Sequence, residues 1–291
     1  MRFASHILPV AAGLVLICSA SFFNAQAQSF LGNMLKSIEK EVENPSAGSG
    51  LNFGGASNEL FEAAENSRLG PMGRYFLGRK LSAHILGNTP ALPVSHPISR
   101  YVRRVVLTIL GSSNYAGSYS DPVVIVLKDS KNINAFAAPG NFVFVTTGML
   151  HFLKNEDELA FVIAHEIAHI ELDHGLNAIK SKQGADLFKN AVGNELAVGL
   201  DGLFNFMEDG FSAELEGEAD LRGAELAAKS GYDPSAGKFV IKRLENKQGR
   251  KHATGYPEDR QANIDLVIRS TKPVSISAIK SREIRYRGVV K

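Results

Sequence analysis

Cysteine and tryptophan are almost missing from this chain: Cys18 is the lone cysteine in 291 residues, and there is no tryptophan. A disulfide framework is therefore excluded, as is any site built from several thiolates. Also lacking is an apolar run of bilayer length; residues 7–17 form a stretch about half as long as the ~20 residues a spanning helix needs. Nor is there an excess of one charge, since 32 Lys and Arg oppose 30 Asp and Glu for a net +2. That is too weak a field to argue for nucleic acid or anionic lipid. With 44% apolar and 21% charged residues, collagen-like, coiled-coil and wholly disordered architectures are excluded too.

What is present begins with a leader. Arg2, the apolar stretch 7–17 and the small-x-small sequence Ala25-Gln26-Ala27 read as a secretory signal peptide over residues 1–27. Acylation at Cys18 is the alternative, disfavoured by the bulky Ile17 before it. Cleavage after Ala27 removes the cysteine, so the expected location is the periplasm, with no thiol chemistry there. Residues 28–58 read as an N-terminal segment and a Gly, Ser and Asn-rich linker, and 59–291 as one domain. Within it, two β-branched runs at 123–127 and 141–147 flank Pro139-Gly140 and are expected as neighbouring strands. Helices are expected near 156–174, 212–229, 236–247 and 260–269. Residues 184–210 read as mobile helix or loop, either a cover for a cleft or a surface excursion.

The helix expected over 156–174 is apolar nearly all round, which places it in the core, and Gly175 is its expected stop. It carries His165-Glu166-Ile167-Ala168-His169. Histidines four apart lie one helical turn above each other, so both rings can face one zinc ion, with Glu166 alongside to act as a base on water. A dry helix holding His, Glu and His also needs something to pair them. Catalytic zinc usually takes three protein ligands and keeps one position open. The best source of the third is the helix after Ser212, where Glu216 and Asp220 share a stripe with the small residues Gly223 and Ala227. Glu216 is read as the third ligand and Asp220 as the acceptor that fixes the tautomer of a ligand histidine. Glu214 and Glu218 point elsewhere on this reading, and His174, five residues past the motif, is turned from the metal. His84, His96, His151 and His252 read as surface or capping residues, and the basic tail 272–291 as solvated charge.

At this point the chain resembles the HtpX and CAAX-prenyl-protease-like gluzincin metallopeptidases, peptidase family M48. The resemblance rests on 134–140 (Asn-Ala-Phe-Ala-Ala-Pro-Gly), Thr147-Gly148-Met149-Leu150, Glu156-Asp157-Glu158-Leu159-Ala160 leading into His165, and Glu216 to Asp220 followed by Gly231-Tyr232-Asp233-Pro234. It implies an α+β, mainly helical, zincin-like fold with a small sheet beside the cleft. It also implies one Zn2+ on His165, His169 and Glu216, and a catalytic base at Glu166. Where the family often has His-Pro shortly before an Arg, this chain has Tyr256-Pro257 before Arg260. Tyr256 is thus a candidate oxyanion donor, with packing against its loop as the alternative. The strand of Asn141, Phe142, Val143, Phe144 and Val145 is the expected edge for an extended substrate. The activity expected is zinc-dependent endopeptidase cleavage of unfolded or misassembled exported proteins in envelope quality control, with peripheral association to the envelope assembly machinery. A chaperone-like assembly factor with a structural zinc is the rival reading. Larger members of the family carry helical repeats after the peptidase domain for docking partners, and this chain is expected to belong to a soluble periplasmic branch without them.

Overall fold

In the computed structural model, which describes residues 71–113, 122–179, 211–248 and 257–291, the two β-branched runs do lie side by side. β1 (Val123–Leu127) and β3 (Phe142–Thr146) are parallel neighbours, with Val123 opposite Phe142 and Leu127 opposite Thr146. Between them in sequence, β2 (Ala135–Ala138) runs antiparallel to β3, and the strand order is β1-β3-β2. This overturns the expectation that Asn141 to Val145 offers a substrate edge. β3 is the central strand, its main chain engaged on both sides, and Asn141 accepts the Val123 amide through its carbonyl at 3.0 Å. The unbroken apolar run was the signature of a strand buried on both faces. The edges are β1 and β2. The outer side of β1 is partly covered by residues 90–92, bridged at Ala91 to Leu127, and β2, whose three alanines are weak strand formers, leaves little pattern in the sequence. The chain reverses between β2 and β3 through two successive left-handed residues, Gly140 (φ 78°) and Asn141 (φ 69°). A Cβ on Gly140 would stand 2.4 Å from the Cα of Tyr75, because helix α1 (Pro71–Asn88) presses on the hairpin tip.

α2 (Pro97–Leu110) starts with proline behind His96, whose ring accepts the Ile98 amide at 3.2 Å, so this histidine is a cap. α3 (Thr147–Phe152) is capped by Thr146. Next comes the helix that organises the fold, α4 (Glu156–Glu171), with Asn155 accepting the Glu158 amide at 2.9 Å. Leu159, Ala160, Ile163, Ala164, Ile167 and Ala168 are all buried along it, packed on α2, on the sheet and on later helices. α4 stops at Glu171, earlier than expected, because Asp173 takes φ 56° and turns the chain. Aspartate tolerates that conformation, and its carboxylate is gripped by Arg74 of α1. α5 (His174–Ile179) follows, with Gly175 inside it rather than ending its predecessor.

The remaining helices are α6 (Ala213–Lys229), α7 (Ala236–Gln248), α8 (Pro257–Ser270) and α9 (Ile276–Val290). Among the described residues, no helix is long and apolar enough to cross a membrane. The first turn of α4 buries three acids, Glu156, Asp157 and Glu158. They suit the positive end of the helix dipole, but burial without partners would be costly. Each is met by an arginine from the C-terminal helices. Arg285 makes two bonds of 2.6 Å to Glu156, Arg282 one of 2.5 Å to Asp157, and Arg243 bonds of 2.9 and 2.5 Å to Glu158. Tyr101 also donates to Glu156 at 2.5 Å. The basic tail is therefore not simply solvated: two of its arginines fasten α9 to the head of α4.

Burial pushes the Glu156 carboxyl up, yet Arg285 and Tyr101 overcome it and hold the group below the usual carboxylate range. A depressed carboxylate contributes stability above its unfolded pKa, near ~4.3, and loses it as pH falls through the folded value. Arg285→Met is expected to destabilise the protein by about 1–3 kcal/mol at neutral pH. In urea titrations the gap from wild type should close in strong acid; a gap that widens there would contradict this.

Candidate active site

Two helices that touch closely make the site. A Cβ on Gly223 of α6 would lie 2.9 Å from both the N and the Cα of His165, so only glycine allows this approach. It brings the head of α6 alongside the second half of α4. His165 Nε2 then lies 3.0 Å from His169 Nε2 and 3.4 Å from Glu216 Oε2, while His169 Nε2 is 3.8 Å from Glu216 Oε1. Among the described residues this trio forms the candidate metal-holding cluster. A tetrahedral zinc with bonds of about 2.0–2.1 Å spaces its ligand atoms by roughly 3.3–3.4 Å, a value these three separations bracket. Two ring nitrogens and a carboxylate are also the donor types zinc favours.

Charge supports the same fit. Glu166, Glu216 and Asp220 bring three negative charges; Arg260 of α8 brings one positive charge, bonding Asp220 at 2.6 and 2.9 Å and lying 3.2 Å from Glu216. Three minus one leaves a deficit of two, at a place where Asp220 is wholly buried and Glu216 nearly so. The titration pattern answers that deficit with protons. Burial opposes charge on His165, but Asp220 and Glu216 outweigh it and push the ring up to about 10. Burial pushes Glu166 up to about 8, against the pull of His165. Burial likewise lifts Glu216, yet His165 and Arg260 bring it down to about 2. His169, buried beside the cationic His165, is held well below the ordinary histidine value. A dication on the three ligand atoms closes the deficit that two protons otherwise fill.

Around the ligands stand supports of two kinds. Asp220 Oδ1 is 3.0 Å from His165 Nδ1. Arg260, which the sequence supplied only as a landmark, locks that carboxylate in place; its signal was the Pro-x-x-Arg spacing at the head of α8. Phe211 stacks on the His169 ring at 4.4 Å between centroids. His174 was expected to turn away, but the break at Asp173 swings it back, and its Nδ1 lies 2.9 Å from His169 Nδ1. Glu218, also expected elsewhere, reaches His174 Nε2 at 3.2 Å. On the open side is β2. Thr146 donates to the Asn134 carbonyl at 3.0 Å, so the antiparallel alternation turns the main-chain groups of Ala135 and Ala137 outward. The Ala137 amide donates to the Glu166 carboxylate. Tyr256 and His252, the leader, the linker and residues 184–210 lie outside the described residues.

A histidine-bearing buried helix, an acidic ligand from a second helix and a short sheet alongside define a zincin-like α+β fold. The model of peptidase family M48 matches residues 98–277, and the chain belongs to that family. It is 34% identical over 163 residues to the mitochondrial metalloendopeptidase OMA1 of Schizosaccharomyces pombe, a match covering 55% of this chain and 48% of that protein. It is 27% identical over 187 residues to the beta-barrel assembly-enhancing protease of Escherichia coli, covering 60% of this chain and 37% of that protein. A third relative, the bovine mitochondrial metalloendopeptidase OMA1, is 33% identical over 136 residues, 42% of this chain and 26% of its own. The matches span about half or less of these relatives.

Two outcomes follow from the geometry. Metal-free protein titrated with zinc should bind one ion and melt at a higher temperature, and Glu216→Gln should abolish both effects. Gly223→Ala, although alanine favours helix, should cost about 1–3 kcal/mol by overpacking and weaken zinc binding because Glu216 is displaced. Unchanged zinc affinity in Gly223→Ala would show that the helix approach does not set the site.

Proposed function

We propose that this protein is a zinc-dependent metalloendopeptidase exported to the periplasm, where it cleaves unfolded or misassembled envelope proteins. The observation that carries the reading is the three-donor cluster with Glu166 beside it and an outward-facing strand edge opposite. Catalytic zinc usually takes three protein ligands and keeps one position for water or substrate, and His165, His169 and Glu216 match that donor set. Zinc bound there supplies Lewis acidity toward a peptide carbonyl and a water molecule.

The chain's own groups do the rest. An extended substrate pairs with the outward main-chain groups of β2 that Glu166 does not take, the Ala135 amide and the Ala135 and Ala137 carbonyls, so recognition runs through backbone and reads little side-chain sequence. Glu166, oriented by the Ala137 amide, takes a proton from the attacking water and returns it to the leaving nitrogen. Asp220 and Arg260 keep His165 in register, and Phe211 keeps His169. Tyr256 immediately precedes α8, the helix that carries Arg260 into the site, and donates its hydroxyl to the developing oxyanion. Support for the envelope setting comes from the leader-like residues 1–27 and from a relative whose name refers to β-barrel assembly.

The test uses full-length protein loaded with zinc and an unfolded substrate. Glu166→Gln should still bind zinc while cleavage falls by about 10²–10⁴-fold. Tyr256→Phe should lower kcat by roughly 100-fold with little change in KM. Binding of unfolded chains without any cleavage by the wild type would favour the chaperone reading instead. In cells, envelope proteins that accumulate with Glu166→Gln but not with wild type would be the clients.

A further inference from the structure

The two ligand histidines are supported differently. His165 meets a carboxylate directly, that of the wholly buried Asp220. His169 instead meets a second imidazole: its Nδ1 is 2.9 Å from His174 Nδ1, and His174 Nε2 is 3.2 Å from Glu218 Oε2. Three further facts bear on this chain of contacts. His174 is 1% exposed, whereas the Glu218 side chain is 53% exposed. Asp173 adopts φ 56°, and it is this turn that delivers His174 to the back of the ligand. Phe211 stacks against the His169 ring and lies 6.0 Å from that of His174.

We propose that His174 and Glu218 are positioning residues that fix the tautomer and ring plane of His169 through an imidazole relay ending at the surface. The proposal rests on the metal reading above. His169 Nε2 faces His165 and Glu216, so that nitrogen presents its lone pair to the metal and the proton resides on Nδ1. That N–H needs an acceptor, and the atom in place is His174 Nδ1. An imidazole accepting through Nδ1 carries its own proton on Nε2, which then donates to the Glu218 carboxylate. One arrangement of protons satisfies both hydrogen bonds, and it is the one that leaves His169 able to ligate. Outer partners of ligand histidines commonly set metal affinity by about 10–100-fold, so losing this one should be read in affinity before it is read in turnover. The relay also explains why α4 ends at Glu171: a helix continued through 172–174 would carry His174 around and away from His169.

The test measures zinc affinity by chelator competition on His174→Phe, His174→Asn, Glu218→Gln and His165→Ala, with long-range ¹⁵N–¹H spectra of the zinc-loaded wild type. His174→Phe keeps bulk without an acceptor and should weaken zinc by about 10–100-fold. His174→Asn, whose Oδ1 can stand where Nδ1 stood, should recover most of that loss. Glu218→Gln alters only an exposed group and should weaken zinc severalfold without lowering the melting temperature of the metal-free protein. His174 should be found as the Nε2–H tautomer. Wild-type affinity in His174→Phe, or an Nδ1–H tautomer at His174, overturns the relay while the metal site stands. If His165→Ala also binds like wild type, the metal reading itself fails.

Discussion

The closeness of α4 and α6 is the constraint from which the site follows. Gly223 sits against the backbone of His165 with no room for a methyl group, and a glycine inside a helix sacrifices about 1 kcal/mol relative to alanine. What the approach delivers is position. Glu216 and Asp220 lie about two turns and one turn before Gly223 on the same face, so contact at the glycine sets them opposite the two histidine rings. Without it the carboxylates would stand several ångströms off, and the histidines would be buried without partners.

That contact places like charges together, and the rest of the fold supplies the counter-charges. Arg260 answers Asp220 and Glu216 at one end of α4, while Arg285, Arg282 and Arg243 answer the acids at the other. All four arginines come from helices later in the chain than α4 and α6. The C-terminal part is therefore structurally tied to α4, although among the described residues it adds none to the candidate cluster. A buried charged network of this kind holds a unique arrangement only if every member is paired, and each acid of the first turn has its arginine.

Local spacing was legible in the sequence, and long-range partnership was not. His165, Glu166 and His169 follow from a period of four on an apolar helix, and the Gly223 stripe from the same arithmetic on α6. The sheet was harder: an unbroken hydrophobic run says that a strand is buried but not which neighbour covers it, so β3 passed for an edge. His174 was misjudged because extrapolating a helix assumes the helix continues, and a single positive φ at Asp173 ended it. The tail arginines looked solvated because their partners lie more than a hundred residues away, and no local pattern announces that.

The alanines of β2 tie these threads together. A strand of Ala135, Phe136, Ala137 and Ala138 is a poor one by propensity, and alone it would scarcely form; pairing with β3 and packing against α4 hold it in place. Alanine brings no donor atom that could complete a metal's coordination, and little bulk where Ala137 and Ala138 line a cleft with His169 and Phe211. Larger β-branched residues would strengthen the strand and narrow the cleft. The composition of β2 thus trades strand stability for a lightly covered main chain, the feature on which the proposed pairing with an extended peptide rests.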